Sequence, residues 1–223
     1  MKTIKKLLLL LVCMFLVTGC STKEESVSFV EEQEEILEET EEEDRQTDSA
    51  NILVVYFSRA GENWEVGKVE KGSTRIVAEY IAETIGADLF EIEPVEPYPE
   101  SYDEMLEIAS AEQKENVRPQ IKNEPENWDQ YDTIVLGYPI WYADMPMIVY
   151  NFLETYDFNG KVIYPFDTHG GSGLAGTVNS IKETLPGIEV KEGLPIVGKA
   201  VQNQFEDTKS IIDQWLKENE LLK

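Results

Sequence analysis

The chain has 223 residues, with 44 Asp and Glu against 19 Lys and Arg, for a net charge of −25. So acidic a chain has no Lys/Arg footprint for a phosphate backbone, which excludes nucleic acid as a partner. One histidine and two cysteines, Cys13 and Cys20, leave no donor set for a transition-metal site. Both cysteines precede the main body, so that body has no disulfide or thiol pair, and any electron chemistry must reside on a bound group.

Met1–Lys6 carries Lys2, Lys5 and Lys6, and Leu7–Val17 is continuously apolar but short for a membrane span. It ends in Leu16-Val17-Thr18-Gly19-Cys20, which resembles a bacterial lipobox and implies cleavage before Cys20 and lipid attachment to its sulfur. The alternative is an uncleaved anchor helix. Either form places the body outside the cytoplasm, at the outer face of the cell membrane. Residues 21–50 hold 13 acidic and 2 basic residues, a net of −11, and read as a self-repelling disordered tether. With +3 from the leader, this leaves −17 on residues 51–223.

From residue 51 onward strands and helices alternate. Ile52–Phe57 is an unbroken apolar run, as a strand buried on both faces requires. It runs into Ser58-Arg59-Ala60-Gly61, then a segment Glu62–Lys71, then Gly72-Ser73-Thr74 at the start of a helix over 73–85 that Gly86 closes. Asp88–Ile92 alternates as a second strand, and Pro94, Pro97 and Pro99 forbid regular structure after it. Tyr102–Glu115 is a polar helix. Thr133–Gly137 is the third strand, leading to Tyr138-Pro139-Ile140-Trp141-Tyr142 and a helix over 146–156 with proline at its start. Lys161–Phe166 is the fourth, leading to Asp167-Thr168-His169-Gly170-Gly171-Ser172-Gly173 and a helix over 173–185. Ile188–Val190 and Leu194–Val197 form a broken strand pair, and Phe205–Glu220 a terminal helix. Trp128, Trp215, Tyr80 and Phe152 are simplest as core. This alternation implies an α/β domain with a doubly wound parallel sheet and helices on both faces.

Strand C-termini of such a sheet share one edge, and ligands bind there where strand order reverses. Three loops should therefore meet: one rich in hydroxyls and free N–H groups, one aromatic, one glycine-rich. The first suits a phosphate at a helix N-terminus, or is only a tight turn. Trp141 either stands at the sheet edge or packs on the following helix. His169 either donates to a ligand or is an exposed loop residue.

These motifs together resemble the flavodoxin-like superfamily, and most closely a bacterial flavodoxin family whose first loop carries an insertion. The Pro139-Ile140-Trp141-Tyr142 element is the most specific of them. The resemblance covers residues 51–219 and implies five parallel strands in the order 2-1-3-4-5 and a bound FMN. It implies Ser58, Arg59, Ala60, Gly61, Ser73 and Thr74 around the phosphate, Arg59 being either a charge on the phosphate or an outward side chain. Asn63 and Trp64 would lie near the ligand or over its rim. Pro139, Ile140, Trp141 and Tyr142 would line the flavin ring, and Thr168, His169, Gly170, Gly171, Ser172 and Gly173 would wrap its far edge. Where family members often carry glycine soon after the tryptophan, this chain has Ala143-Asp144. That opposes a backbone flip toward the flavin, and Asp144 would repel an anionic reduced ring.

The implied function is electron transfer by a lipid-anchored flavoprotein, with a redox partner protein or a membrane electron donor. A reductase of quinones or small aromatic acceptors is the enzyme alternative, and a non-redox lipoprotein that kept the fold is the third.

Overall fold

The computed structural model describes residues 51–222; the leader, Cys20 and the acidic tether lie outside the described residues. All five residues of β1, Ile52–Tyr56, are buried, as the unbroken apolar run demands. After it come a hairpin of β2 (Gly61–Asn63) and β3 (Gly67–Val69), then α1 (Ser73–Ile85), β4 (Asp88–Glu91) and α2 (Tyr102–Glu115). The second half holds β5 (Thr133–Pro139), α3 (Met147–Thr155), β6 (Val162–His169) and α4 (Thr177–Thr184). Two short strands, β7 (Glu189–Val190) and β8 (Leu194–Val197), precede α5 (Gly198–Asn203) and α6 (Phe205–Glu218).

The main sheet is parallel throughout, in the order β4-β1-β5-β6, and both β7 and β8 pair with the outer edge of β6. With β7 and β8 sharing the fifth position, this is the expected 2-1-3-4-5 order. Strand order reverses on either side of β1, so the crevice between β1 and β5 is the topological switch point.

Alternate strand residues serve two cores. Leu53, Val55, Leu136 and Ile163 pack with Ile148, Phe152 and Ile181 of α3 and α4. On the opposite face Val54, Tyr56, Val135 and Phe166 pack with Val77 and Ile81 of α1 and with Ile212, Trp215 and Leu216 of α6. Each fully buried Val, Leu, Ile or Phe contributes about 1.5–3 kcal/mol, so the two layers hold the sheet from both sides. Trp128, Phe152 and Trp215 are buried as expected.

The larger departures from the sequence reading have physical reasons. The fourth strand runs on to His169, because β8 extends the ladder alongside Phe166–His169. The third runs on through Pro139, which pairs with Thr168. The helix expected from Gly173 starts at Thr177, because Gly173, Ala175 and Gly176 all take left-handed φ. The terminal helix is preceded by α5, from which Gln204 (φ −143°) separates it.

Candidate functional site

The C-terminal ends of β1, β5, β6 and β8 surround one open cleft. At one end, the turn after β1 meets the start of α1. A Cβ at Gly72 would collide with Ser58 Oγ and the Arg59 carbonyl oxygen, so only glycine lets these two segments touch. Ser58 Oγ accepts from the Arg75 amide at 3.1 Å and so caps α1 from outside its own segment. Thr74 and Thr168 share a hydroxyl hydrogen bond of 2.7 Å that ties α1 to β6, and Ser73 Oγ donates to the Gly198 carbonyl at 3.1 Å. The amides of Arg59, Ala60, Ser73 and Thr74 donate to no backbone carbonyl among the described residues. Those of Ser73 and Thr74 form the N-terminus of α1, whose partial positive charge favours an anion.

Arg59 takes neither of its expected roles in full. It is buried, and its terminal nitrogens donate to the carbonyls of Ala60, Glu62, Glu100 and Ser101. Those bonds clamp the β2–β3 hairpin to the loop before α2. Burial lowers its pKa from the usual guanidinium value, with the nearby Glu62 charge opposing. Its Nε is buried with no acceptor among the described residues.

The opposite wall is aromatic. Trp141 stands edge-on to Phe57 (centroids 5.5 Å apart, 88° between planes) and to Tyr98 (5.0 Å, 80°). It is half-buried at the sheet edge rather than enclosed against the following helix. Its amide donates to the Asp144 carbonyl at 2.8 Å and the reverse bond is 3.1 Å, closing a tight turn. Tyr142 (φ 49°) and Ala143 (φ 59°) both sit in the left-handed region there, a conformation that costs non-glycine residues energy. Asp144 is absent from the lining of the cleft. Its carboxylate accepts from the Met145 amide at 2.8 Å and from Tyr150 Oη at 2.9 Å, so the charge expected near the ring is used at the start of α3 instead.

His169 ends β6 and lines the cleft. Its Nδ1 accepts from the Gly171 amide at 2.9 Å, and burial lowers its pKa. The neutral ring therefore carries its proton on Nε2. Gly170 lies beneath the Trp64 ring, where a Cβ would come within 2.7 Å of the indole Cδ1.

Of the residues singled out in the sequence, Ser58, Arg59, Asn63, Ser73, Thr74 and Pro139 line this cleft, as do Ile140, Trp141, Tyr142, Thr168, His169 and Gly170. Ala60, Gly61, Gly171, Ser172 and Gly173 do not. Gly61 (φ 90°) is pressed instead against the Glu100 backbone, where a Cβ would come within 2.7 Å of the carbonyl oxygen. The lining also includes Tyr102, Met105, Val197, Gly198 and Lys199, which sequence reasoning left out. Only the pairing of β8 with β6 brings Lys199 to the cleft, and no spacing in the sequence signals it.

A family model described as flavodoxin matches residues 51–218. The chain belongs to the flavodoxin family. A structure from Bacteroides eggerthii, assigned as a flavoprotein, is 32% identical, with a TM-score of 0.56 over 70% of this chain and 96% of that one. A second, from Bacteroides uniformis, is 26% identical, with a TM-score of 0.57 over 71% and 99%. A flavoprotein from Lactobacillus acidophilus, solved in complex with FMN, is 22% identical, with a TM-score of 0.52 over 68% and 96%. Among curated proteins, none matches the sequence.

Proposed function

We propose that the cleft holds FMN and that the protein passes electrons through it. The observation that carries this reading is one cleft with two chemically distinct ends. One end has the unpaired amides of Ser73 and Thr74 at a helix N-terminus; the other has Trp141 at the sheet edge. That donor set fits a phosphate, and the aromatic end fits a planar heterocycle. Membership of the flavodoxin family and the FMN held by the Lactobacillus acidophilus relative support the same assignment.

When bound, FMN supplies one- or two-electron chemistry, and the protein supplies binding, orientation and electrostatics. The amides of Ser73 and Thr74 would hold the phosphate, with the Ser58 and Thr74 side chains beside it. Trp141 and Tyr142 line the ring, and His169 offers its Nε2–H as a donor. The surrounding body carries −17, so neutral amides do most of the phosphate binding, and a redox partner with a basic face is drawn to the surface. Lipid on Cys20 would hold the domain at the outer face of the cell membrane, within reach of a membrane electron donor.

Titrating the purified protein with FMN and with riboflavin tests the reading. A yellow complex that prefers FMN supports it. Equal affinity for the two would remove the phosphate assignment, and no flavin uptake would favour the non-redox reading. The second reading is reduction of quinones or small aromatic acceptors. Turnover of a quinone with a nicotinamide donor at enzyme-like rates would establish it.

A further inference from the structure

A phosphate monoester carries about −1.5 to −2 near neutral pH, and the body it must approach already carries −17. A cation in the cleft would offset that repulsion, and the first loop offers none that is free. Arg59 commits its terminal nitrogens to the carbonyls of Ala60, Glu62, Glu100 and Ser101. The next cations along the chain each face a carboxylate. Lys68 meets Glu100 at 2.6 Å, Lys71 meets Glu79 at 2.6 Å, and Arg75 meets Glu79 at 2.8 Å and Glu91 at 3.3 Å.

Besides Arg59, the charged side chains lining the cleft are Glu65 and Lys199. Lys199 is exposed and forms no ion pair among the described residues. Its place in the fold is nevertheless fixed against the start of α1. β8 pairs Ile196 with Thr168, the residue whose hydroxyl is bonded to Thr74, and Val197 with His169. The Gly198 carbonyl then accepts from Ser73 Oγ at 3.1 Å. One turn on, Gln202 Nε2 donates to Ser73 Oγ at 3.2 Å and to the Lys71 carbonyl at 2.9 Å. The first turn of α5 is thus stitched to the first turn of α1, and Lys199 stands beside the unpaired amides of Ser73 and Thr74. A lysine there brings three donors and a full charge on a flexible four-carbon stem.

We infer that Lys199 is the charged partner of the phosphate, and so the residue by which the cleft selects FMN over riboflavin. This rests on the FMN reading above. The fixed amides at the start of α1 set the position of the anion, and the segment after the last strand supplies the charge that the first loop withholds.

Fluorescence titration of the full chain with FMN and with riboflavin tests this, for wild type, Lys199→Gln, Lys199→Arg and Lys182→Gln. Lys182 is exposed on α4 and outside the cleft, so its variant alters the net charge equally without touching the site. Lys199→Gln should weaken FMN binding roughly two- to fivefold, the range of an exposed ion pair, and leave riboflavin binding as it was. Lys199→Arg and Lys182→Gln should both keep the wild-type preference for FMN. The gap between wild type and Lys199→Gln should close as ionic strength rises from about 0.01 M to about 1 M, where the screening length falls from roughly 30 Å to 3 Å. A preference for FMN that is unchanged in Lys199→Gln, or reduced equally in Lys182→Gln, overturns the inference and leaves the cofactor reading standing. Equal loss of both flavins in Lys199→Gln overturns it too, because the residue would then serve the fold or the ring. A wild-type chain that binds neither flavin overturns the cofactor reading together with it.

Discussion

Asp167 is the least comfortable side chain in the fold, and replacing it with asparagine should make the protein's stability less dependent on pH. It is fully buried in β6, beside Tyr138 of β5, and no side chain donates to its carboxylate. Burial pushes its pKa from 3.8 up to about 8, with only the Ile196 amide acting the other way. A carboxyl whose pKa is raised on folding binds its proton more tightly in the native state. The stability this lends is complete below the unfolded pKa and is lost as pH rises toward about 8. The slope is about 1.4 kcal/mol per pH unit, so the loss between pH 5 and pH 8 is on the order of 4 kcal/mol. That is a large fraction of a typical domain's total of about 5–15 kcal/mol.

Urea unfolding of wild type and Asp167→Asn at both pH values measures it. Asparagine cannot ionise, and the cost of burying its amide is the same at either pH. Other carboxylates cancel in the comparison, among them Glu154, which its hydrogen bond from Arg118 holds below the usual range. The variant should therefore gain on wild type by roughly 4 kcal/mol between the two conditions, through the linkage above. A stability gap that does not move with pH would refute the argument.

Three further outcomes follow from the geometry. Gly72→Ala places a methyl on Ser58 and the Arg59 carbonyl, so FMN affinity should fall by about tenfold or more while riboflavin binding changes far less, as parallel titrations would show. Arg59→Ala removes the guanidinium that ties the carbonyls of Ala60 and Glu62 to those of Glu100 and Ser101, so it should lower the melting temperature and expose the hairpin to limited proteolysis. Cys20→Ser should move the protein from the membrane to the soluble fraction on cell fractionation; unchanged retention would point to the uncleaved anchor.

Much of this protein was legible from residue order alone. Apolar runs such as Ile52–Tyr56 and Thr133–Leu136 can only be strands covered on both faces, and their alternation with helices fixes a parallel sheet. The sheet then dictates which loops share an edge, so Ser58, Thr74, Trp141 and His169 could be grouped before any coordinates existed. Local chemistry carries that much because hydrophobic period and helix-start signals act over a few residues.

Pairings between distant segments decided the rest. Whether Asp167 lay in a loop or a buried strand depended on β5 and β8 pairing with it from either side, contacts invisible in the residues around it. Arg59 lay close to the cleft in sequence, but carbonyls about forty residues away, at Glu100 and Ser101, set where its guanidinium points. Trp64 gained its place over Gly170, and Lys199 its place in the cleft, only once the chain had folded back on itself. Burial and hydrogen-bond geometry are properties of neighbours in space, so no reading of neighbours in sequence could supply them.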